Sequence, residues 1–208
     1  MRGTRTSSEL DARRQEARLI ARAQRGDGQA MRDLVDLHKD RLFAFVHRMI
    51  RNHHDAEDLV QDTFVKAFGS LDTFLTQYRF STWLFTIGYR LCLNSLRRRQ
   101  SLTGELDFAA VASSATQPDD QAAESDEAHR LTLLVWQAVD RLSPPQRATV
   151  ILFYRQNESC RDIAQVLELP VATVKSHLHR ARTRLREILE PAVTDETARL
   201  RILAGLTG

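Results

Sequence analysis

The sequence has few of the residues that would cross-link a chain or carry it into a membrane. Its 208 residues include only two cysteines, Cys92 and Cys160, without CxxC spacing, which argues against a disulfide framework or a thiolate zinc site. There is no run of about 18 uninterrupted apolar residues, and the N-terminus lacks the apolar core of a signal peptide. We therefore expect a cytoplasmic protein that is not inserted in a membrane.

The motifs that identify many enzymes are also missing. There is no glycine-rich phosphate loop, no nucleophile elbow and no pair of carboxylates beside an apolar pocket. Histidines and acids cluster in RNHHDAED, residues 51–58, but adjacent histidines on a turn diverge and no distant third ligand is evident. We predict a protein that is not an enzyme and has no metal site or cofactor. A metal-dependent nucleic-acid enzyme built on His53 and His54 is the least favoured alternative.

Charge is segregated along the chain, although the net charge is only +3. No lysine or arginine occurs from Gln100 to His129, whereas basic residues gather on both sides. The stretch is acidic and rich in serine and alanine without a sustained period, which is typical of a flexible linker. Such a linker would let the two halves sit on separate turns of one DNA duplex. The predicted organisation is an arm at 1–12, a domain at 13–99, the linker at 100–126, a second domain at 127–190 and a tail at 191–208.

The second domain contains a basic amphipathic helix. Apolar residues from Val171 to Ile188 recur at steps of three and four and predict a buried stripe. A shorter helix, capped by Ser159, precedes it and ends before Pro170, and another begins after Ser143. This is the pattern of a helix-turn-helix, whose second helix enters the major groove, although a merely solvated helix is the alternative. The outward side chains that can reach phosphates and base edges are Thr173, Lys175, Ser176, His177, His179, Arg180, Arg182 and Arg184.

The sequence of the first domain predicts four helices and shows no alternating pattern typical of a strand. We predict them at about 13–25, 29–51, 55–71 and 81–99. The third helix, with Asp55 as its cap, has an acidic outer face. Acids in the first turn of a helix stabilise it by about 0.3–1 kcal/mol through the helix dipole. Asp62 lies beyond the first turn, so this effect does not explain it. An acidic face on a DNA-binding protein suggests a protein partner with a basic surface, and the composition alone leaves both explanations open.

The fourth helix interleaves aromatic rings with arginines. Bases of single-stranded DNA stack on rings while cations follow the backbone, so this composition indicates a single-strand contact. Rings at helical spacing are more often core residues, and we expect some to be core and some to be stacking platforms. The rings are Phe80, Trp83, Phe85 and Tyr89, and the cations are Arg79, Arg90, Arg97, Arg98 and Arg99.

These segments together resemble the extracytoplasmic-function (ECF) sigma factors, the two-domain initiation subunits of bacterial RNA polymerase. The N-terminal half resembles the family's region 2 through ARAQRGDGQAMRDLVDLH, DAEDLVQDTFVKAF and FSTWLFTIGYRLCLNSLRRR. The C-terminal half resembles region 4 through LSPPQRATVILFY and SCRDIAQVLELPVATVKSHLHRARTRL. The motifs stand in the family's order and cover about residues 17–190. The resemblance implies an all-α fold, with a four-helix domain and a helix-turn-helix domain joined by a flexible acidic linker.

The resemblance also implies partners and a role for each surface. The protein would direct core RNA polymerase to promoters, as in a stress response, and a cognate anti-sigma factor would hold it inactive. The residues that match the polymerase-docking surface are Asp55, Glu57, Asp58, Gln61, Asp62 and Phe64. Those that match the element that melts and reads the minus-10 sequence are Phe80, Trp83, Arg90, Asn94, Arg97, Arg98 and Arg99. Those that match the minus-35 reader are Thr173, Lys175, Ser176, His177, His179, Arg180 and Arg182.

Three positions differ from the common family pattern. Arg90 stands where members often have asparagine, Val171 where they often have serine, and His177 where they often have arginine. We therefore expect altered promoter preferences. The alternative function is a helix-turn-helix regulator that binds duplex DNA unaided, which leaves the acidic helix and the aromatic helix without a role.

Overall fold

The computed structural model describes residues 7–75, 78–103 and 126–190, which are helical and contain no strand. This confirms the all-α prediction. The predicted tail, most of the predicted linker and the first half of the predicted arm lie outside the described residues. The N-terminal half contains α1 Ser7–Ala23, α2 Gly28–Ile50, α3 His53–Gly69, a short 3-10 helix Leu71–Thr73, and α4 Phe80–Thr103. The C-terminal half contains α5 Asp126–Asp140, α6 Pro144–Val150 with a π-helical continuation Ile151–Arg155, α7 Cys160–Leu167 and α8 Val171–Leu189.

Side-chain caps fix several of the helix starts. The Asp27 carboxylate accepts from the backbone N–H groups of Gln29 and Ala30, at 2.9 and 3.2 Å, where α2 begins. The cap of α3 is Asn52 rather than Asp55, because the Asn52 side chain accepts the Asp55 N–H at 3.0 Å. Helix α3 thus begins earlier than the sequence predicted, and Asp55 lies in its first turn.

Of the two helix caps predicted in the C-terminal half, one forms the expected side-chain hydrogen bond and the other does not. Ser159 caps α7 as expected, since its hydroxyl accepts the Asp162 N–H at 3.2 Å. Ser143 occupies the cap position of α6 without a side-chain hydrogen bond. One reason is that the second helical residue is Pro145, which has no N–H to donate.

Helix α2 is the centre of the N-terminal half and packs against α1, α3 and α4. Its Leu34, Leu42, Phe45 and Met49 are completely buried. Helix α4 crosses close to it at Gly88, where a Cβ atom would lie 3.1 Å from Leu42 Cδ1 and 3.6 Å from the Thr63 hydroxyl. A residue without a side chain is therefore what lets these helices approach.

The buried stripe of α8 follows the predicted period with shifts at its two ends. Val174, Leu178, Ala181 and Leu185 are buried, as the spacing predicts. Val171 is instead exposed because it is the first residue of the helix, and at the far end Leu189 is more deeply buried than Ile188. The helix therefore keeps a continuous outer face from its first turn.

The two halves pack against each other, which the sequence analysis did not predict. Helix α7 lies on α4, and α6 contacts α2. Ile151, Leu152 and Ile163 belong to the same buried cluster as Phe45 and Leu84 of the N-terminal half. One apolar core therefore continues across the boundary between the halves.

Replacement of Gly88 by valine should destabilise the protein by about 1–3 kcal/mol, since the added carbon atoms would overlap Leu42 and Thr63 at the helix crossing. Urea unfolding of the full chain, followed by circular dichroism, measures the change in free energy. The matched control is Gly69→Val, because a Cβ at Gly69 meets nothing within 4 Å. Equal losses in the two variants would contradict the close packing at Gly88.

Candidate DNA-contacting and partner-docking surfaces

Helix α3 has an outer face rich in acceptor groups, which we call the acidic face and define as Glu57, Asp58, Gln61 and Asp62. All four side chains are exposed. Val65, one turn further, is 70% exposed and adds an apolar contact point that the sequence analysis missed. In the described part of the chain neither Asp58 nor Asp62 forms an ion pair. An acidic patch with an exposed valine beside it is suited to a basic protein surface.

The other two predicted docking residues lie away from this face. Phe64 is only 6% exposed and stacks near Phe68, so it supports the acidic face from within the core. Asp55 is half-buried and forms an ion pair with Arg99 of α4. Arg99 also donates to the Ile50 carbonyl at 3.4 Å, so it ties α4 to the start of α3.

The two adjacent histidines in the first turn of α3 contact a carboxylate of the same helix. His53 Nε2 lies 3.3 Å from one Glu57 oxygen, and His54 Nδ1 lies 3.7 Å from the other. Within the described ranges, no group of three or more histidine, cysteine or acidic side chains is arranged to hold a metal ion.

The outer side of α4 carries a second exposed surface, which we call the basic α4 face and define as Arg90, Asn94, Arg97 and Arg98. The spacing of these residues places them along one side of the helix, and all four are exposed. Arg90 is bound by Glu168 of the C-terminal half, with Nε donating to Oε2 at 3.2 Å. An exposed arginine of α4 is therefore paired with an acid from the other half of the same chain.

The rings of α4 are mostly core residues. Phe80, Phe85 and Tyr89 are buried, and Trp83 is half-buried against Phe74 at a centroid distance of 5.1 Å. Phe80, which sequence analysis assigned to minus-10 DNA, is 1% exposed and packs on Phe74. Its ring cannot stack on a base without leaving the core.

The exposed ring near α4 belongs instead to the segment that precedes the helix. Tyr78 and Leu75 are both exposed, beside Arg79. Periodicity could not identify Tyr78, because it lies between helices and follows no repeat. The sequence indicated only that the segment TQYRF, which contains Tyr78, breaks the helical pattern.

The outer side of α8 carries a third exposed surface, which we call the α8 face and define as Lys175, Ser176, His179 and Arg180. Thr173, His177 and Arg182 are half-buried at its edges. Arg182 Nε donates to the Tyr154 hydroxyl at 2.8 Å. Two hydrogen-bond donors, the short side chain of Ser176 and the long side chain of Arg180, thus lie one turn apart on α8. In a helix-turn-helix, the second helix is the one that enters the major groove.

His177 differs electrostatically from the exposed members of this helix. Burial, and then the positive charge of Arg180, lower the pKa of His177 below its usual value. The imidazole is therefore neutral at pH 7, and it adds no cation for phosphate contact at this position.

Cys92 lies in the core of the N-terminal half, where burial raises the pKa of its thiol to about 12. A thiol that stays protonated and out of contact with water is not a reactive group. Cys160 is half-buried at the start of α7.

Two family models match this chain in order. Sigma-70 region 2 matches residues 34–102, and Sigma-70 region 4 matches residues 132–185. The chain is 29% identical over 180 residues to the ECF RNA polymerase sigma factor SigW of Bacillus subtilis, across 82% of this chain and 94% of that protein.

Two solved structures are similar in both fold and sequence. The sigma factor RpoE, in complex with the anti-sigma factor NepR from Bartonella quintana, superposes with a TM-score of 0.65 at 31% identity, over 76% of this chain and 96% of that one. CnrH, in complex with the cytosolic domain of CnrY, gives 0.63 at 27% identity, over 84% of this chain and 97% of that one.

Proposed function

This chain belongs to the ECF group of the sigma-70 family of RNA polymerase sigma factors, and from that premise we propose which of its surfaces meets each partner. It is a transcription initiation factor that directs core RNA polymerase to promoters. The observation that carries this conclusion is the match of region 2 and region 4, in order, to the two helical halves. A helix-turn-helix regulator that acts without polymerase would leave the N-terminal half unexplained. The family membership indicates a DNA-binding regulatory factor, and we propose that it has no enzymatic activity.

The acidic face of α3 is the proposed contact with core polymerase. Its four polar side chains are exposed, and two of its acids are free of ion pairs within the described part of the chain. Acids presented in this way attract a basic surface and cannot themselves lie against DNA phosphates. Phe64 beneath the face and Asp55 at its edge keep α3 in place rather than meeting the partner directly.

The basic α4 face is the proposed contact with melted minus-10 DNA. Its arginines can follow the phosphate backbone, and Asn94 is the amide that can bond to a base edge. Of the rings near the face, exposed Tyr78 is better placed to stack on an unpaired base than buried Phe80 or half-buried Trp83. Binding that favours the unpaired strand shifts the DNA toward the melted state without ATP.

The α8 face is the proposed reader of duplex minus-35 DNA. Arg180 is the best candidate for a bidentate contact to guanine, and Lys175 for a phosphate. Because His177 is neutral and Arg182 is engaged by Tyr154, we assign them to positioning the helix rather than to reading bases.

The remaining proposals concern organisation and regulation. We assign region 2 to 13–99 and region 4 to 127–190, joined by the linker at 100–126. No helix in the described ranges is long and apolar enough to cross a membrane. We place the protein in the cytoplasm because polymerase and promoters are there. A cognate anti-sigma factor is proposed because the similar sigma factor RpoE was solved in complex with the anti-sigma factor NepR.

Transcription with purified core polymerase tests the function. Genomic fragments are transcribed with and without the protein, and the RNA 5′ ends are sequenced. New start sites that share a pair of upstream motifs are the expected result. Specific duplex binding by the protein alone, with no protein-dependent initiation, would instead establish the stand-alone regulator.

Asp62→Lys should weaken the affinity for core polymerase by about tenfold or more, because the lysine would face the basic partner surface. Fluorescence anisotropy of labelled protein titrated with core polymerase measures the affinity. The control is Asp36→Lys, which makes the same charge reversal at an exposed position on α2. Unchanged binding by the Asp62 variant would exclude the acidic face as the docking surface.

Arg180→Ala should weaken promoter binding by the holoenzyme by about 1–3 kcal/mol and relax base preference at one minus-35 position, if Arg180 reads a base edge. Competition with promoter fragments mutated at each minus-35 base measures both effects. Arg32→Ala is the control, because it removes one exposed arginine from the N-terminal half. A uniform loss across all fragments would assign Arg180 to phosphate contact.

A further inference from the structure

We propose that the start of α8 selects a thymine of the minus-35 element through the C5-methyl group of that base. The proposal rests on the sigma function proposed above and names one base that this helix selects. The start of α8 presents three consecutive residues whose side chains have no hydrogen-bonding group. We call them the apolar tip and define it as Pro170, Val171 and Ala172.

The apolar tip faces solvent. All three of its residues are exposed, and Val171 is 39% exposed. In the part of the C-terminal half that the structure describes, no other large apolar side chain is exposed to this extent. A single exposed apolar residue is ordinary on a protein surface, so the position of Val171 on the helix carries the argument.

Backbone hydrogen bonds and buried neighbours hold the apolar tip in place. The Leu169 N–H donates to the Ala164 carbonyl at 3.0 Å and closes the turn that follows α7. The Pro170 carbonyl accepts from the N–H groups of Thr173 and Val174, at 2.9 and 3.1 Å, and closes the first turn of α8. Val174 is completely buried, and Leu169 packs against the same core. The tip is therefore preorganised, and little ordering is needed when it binds.

The apolar tip lies at the end of α8 that reaches the bases. In a helix-turn-helix, the N-terminal residues of the recognition helix contact base edges in the major groove. Val171 and Ala172 are the first two residues of α8. Lys175 and Ser176 lie four residues further along, on the same side of the helix. The tip therefore continues the α8 face toward the floor of the groove.

The chemistry of the base edges favours thymine at this contact. In the major groove, guanine presents two acceptors, adenine an acceptor and a donor, cytosine a donor, and thymine an acceptor beside its C5-methyl group. Contact between Val171 and the methyl group removes apolar surface of both partners from water. Contact with the polar edge of another base would leave a donor or acceptor without a partner, which costs affinity.

The apolar tip and Arg180 contact different base pairs. Val171 and Arg180 are nine residues apart, which is roughly 13 Å along the helix at 1.5 Å per residue. Base pairs follow one another at about 3.4 Å, so this distance spans roughly four of them. The selected thymine is therefore separate from the base that Arg180 reads, and the two contributions to affinity are independent.

Replacement of thymine by deoxyuridine tests the contact, because deoxyuridine lacks only the C5-methyl group. Promoter fragments found by the transcription experiment are synthesised with each minus-35 thymine replaced in turn, on either strand. Competition binding to the holoenzyme measures the affinity of each fragment. We expect the affinity to fall about three- to fourfold at one or two adjacent positions, as the loss of about one buried methyl group requires.

Val171→Ser assigns the effect to the apolar tip. In the holoenzyme with this variant, the thymine and deoxyuridine fragments should bind with nearly equal affinity, because the hydroxyl no longer favours the methyl group. Leu37→Ser is the matched control, since it makes the same kind of change at an exposed apolar residue of α2 and should keep the preference for thymine. Circular dichroism checks that both variants keep their helices.

A second base replacement separates the methyl contact from an effect of DNA shape. At the position that responds to deoxyuridine, cytosine paired with guanine should weaken binding. The base 5-methylcytosine restores the methyl group without the thymine oxygen, so it should recover part of the lost affinity. The recovery should occur with the wild type and be absent with Val171→Ser.

The possible failures are distinguishable. Equal affinity for every deoxyuridine fragment, a minus-35 element without an A·T pair, or a methyl effect that persists in Val171→Ser would each overturn the inference and leave the sigma function intact. Absence of initiation by the wild type would reject both the sigma function and the inference that rests on it.

Discussion

The position of helix α2 at the centre of the molecule constrains everything packed around it. Its buried residues run from Ala30 to Ile50 and contact α1, α3 and α4. Its last turn also meets region 4, where Met49 contributes a side chain to the core and a carbonyl to Arg147. A helix that is covered on several sides cannot move without disturbing both halves. The surfaces offered to partners are therefore the outer faces of the helices that surround it.

Each of these outer faces has a distinct electrostatic character. On α3 the face is acidic, while on α4 and α8 it is basic and amide- or hydroxyl-bearing. The separation lets one small protein approach a basic protein surface and a polyanion from different sides. Pairing between Asp55 and Arg99 occurs at the border where the acidic and basic faces meet, and it joins α3 to α4.

Opposite charges also explain why the two halves associate. The N-terminal half supplies Arg41, Arg79 and Arg90, and the C-terminal half supplies Glu158 and Glu168 as their partners. Arginines of the kind that bind phosphates also form strong hydrogen bonds with carboxylates. The two halves are therefore joined by ion pairs as well as by the apolar core that they share.

The sequence by itself determined the helices, the helix-turn-helix, the Ser159 cap and the outward side chains of α3 and α8. These follow from local hydrogen bonding and from a 3.6-residue period, which reports one face of a helix relative to its own axis. The tertiary structure alone decided that Phe80 and Phe64 are core residues, that Tyr78 is the exposed ring, and that Glu158 meets arginines 79 and 117 positions away. Such pairings depend on how one helix axis is placed against another, and periodicity carries no information about that placement.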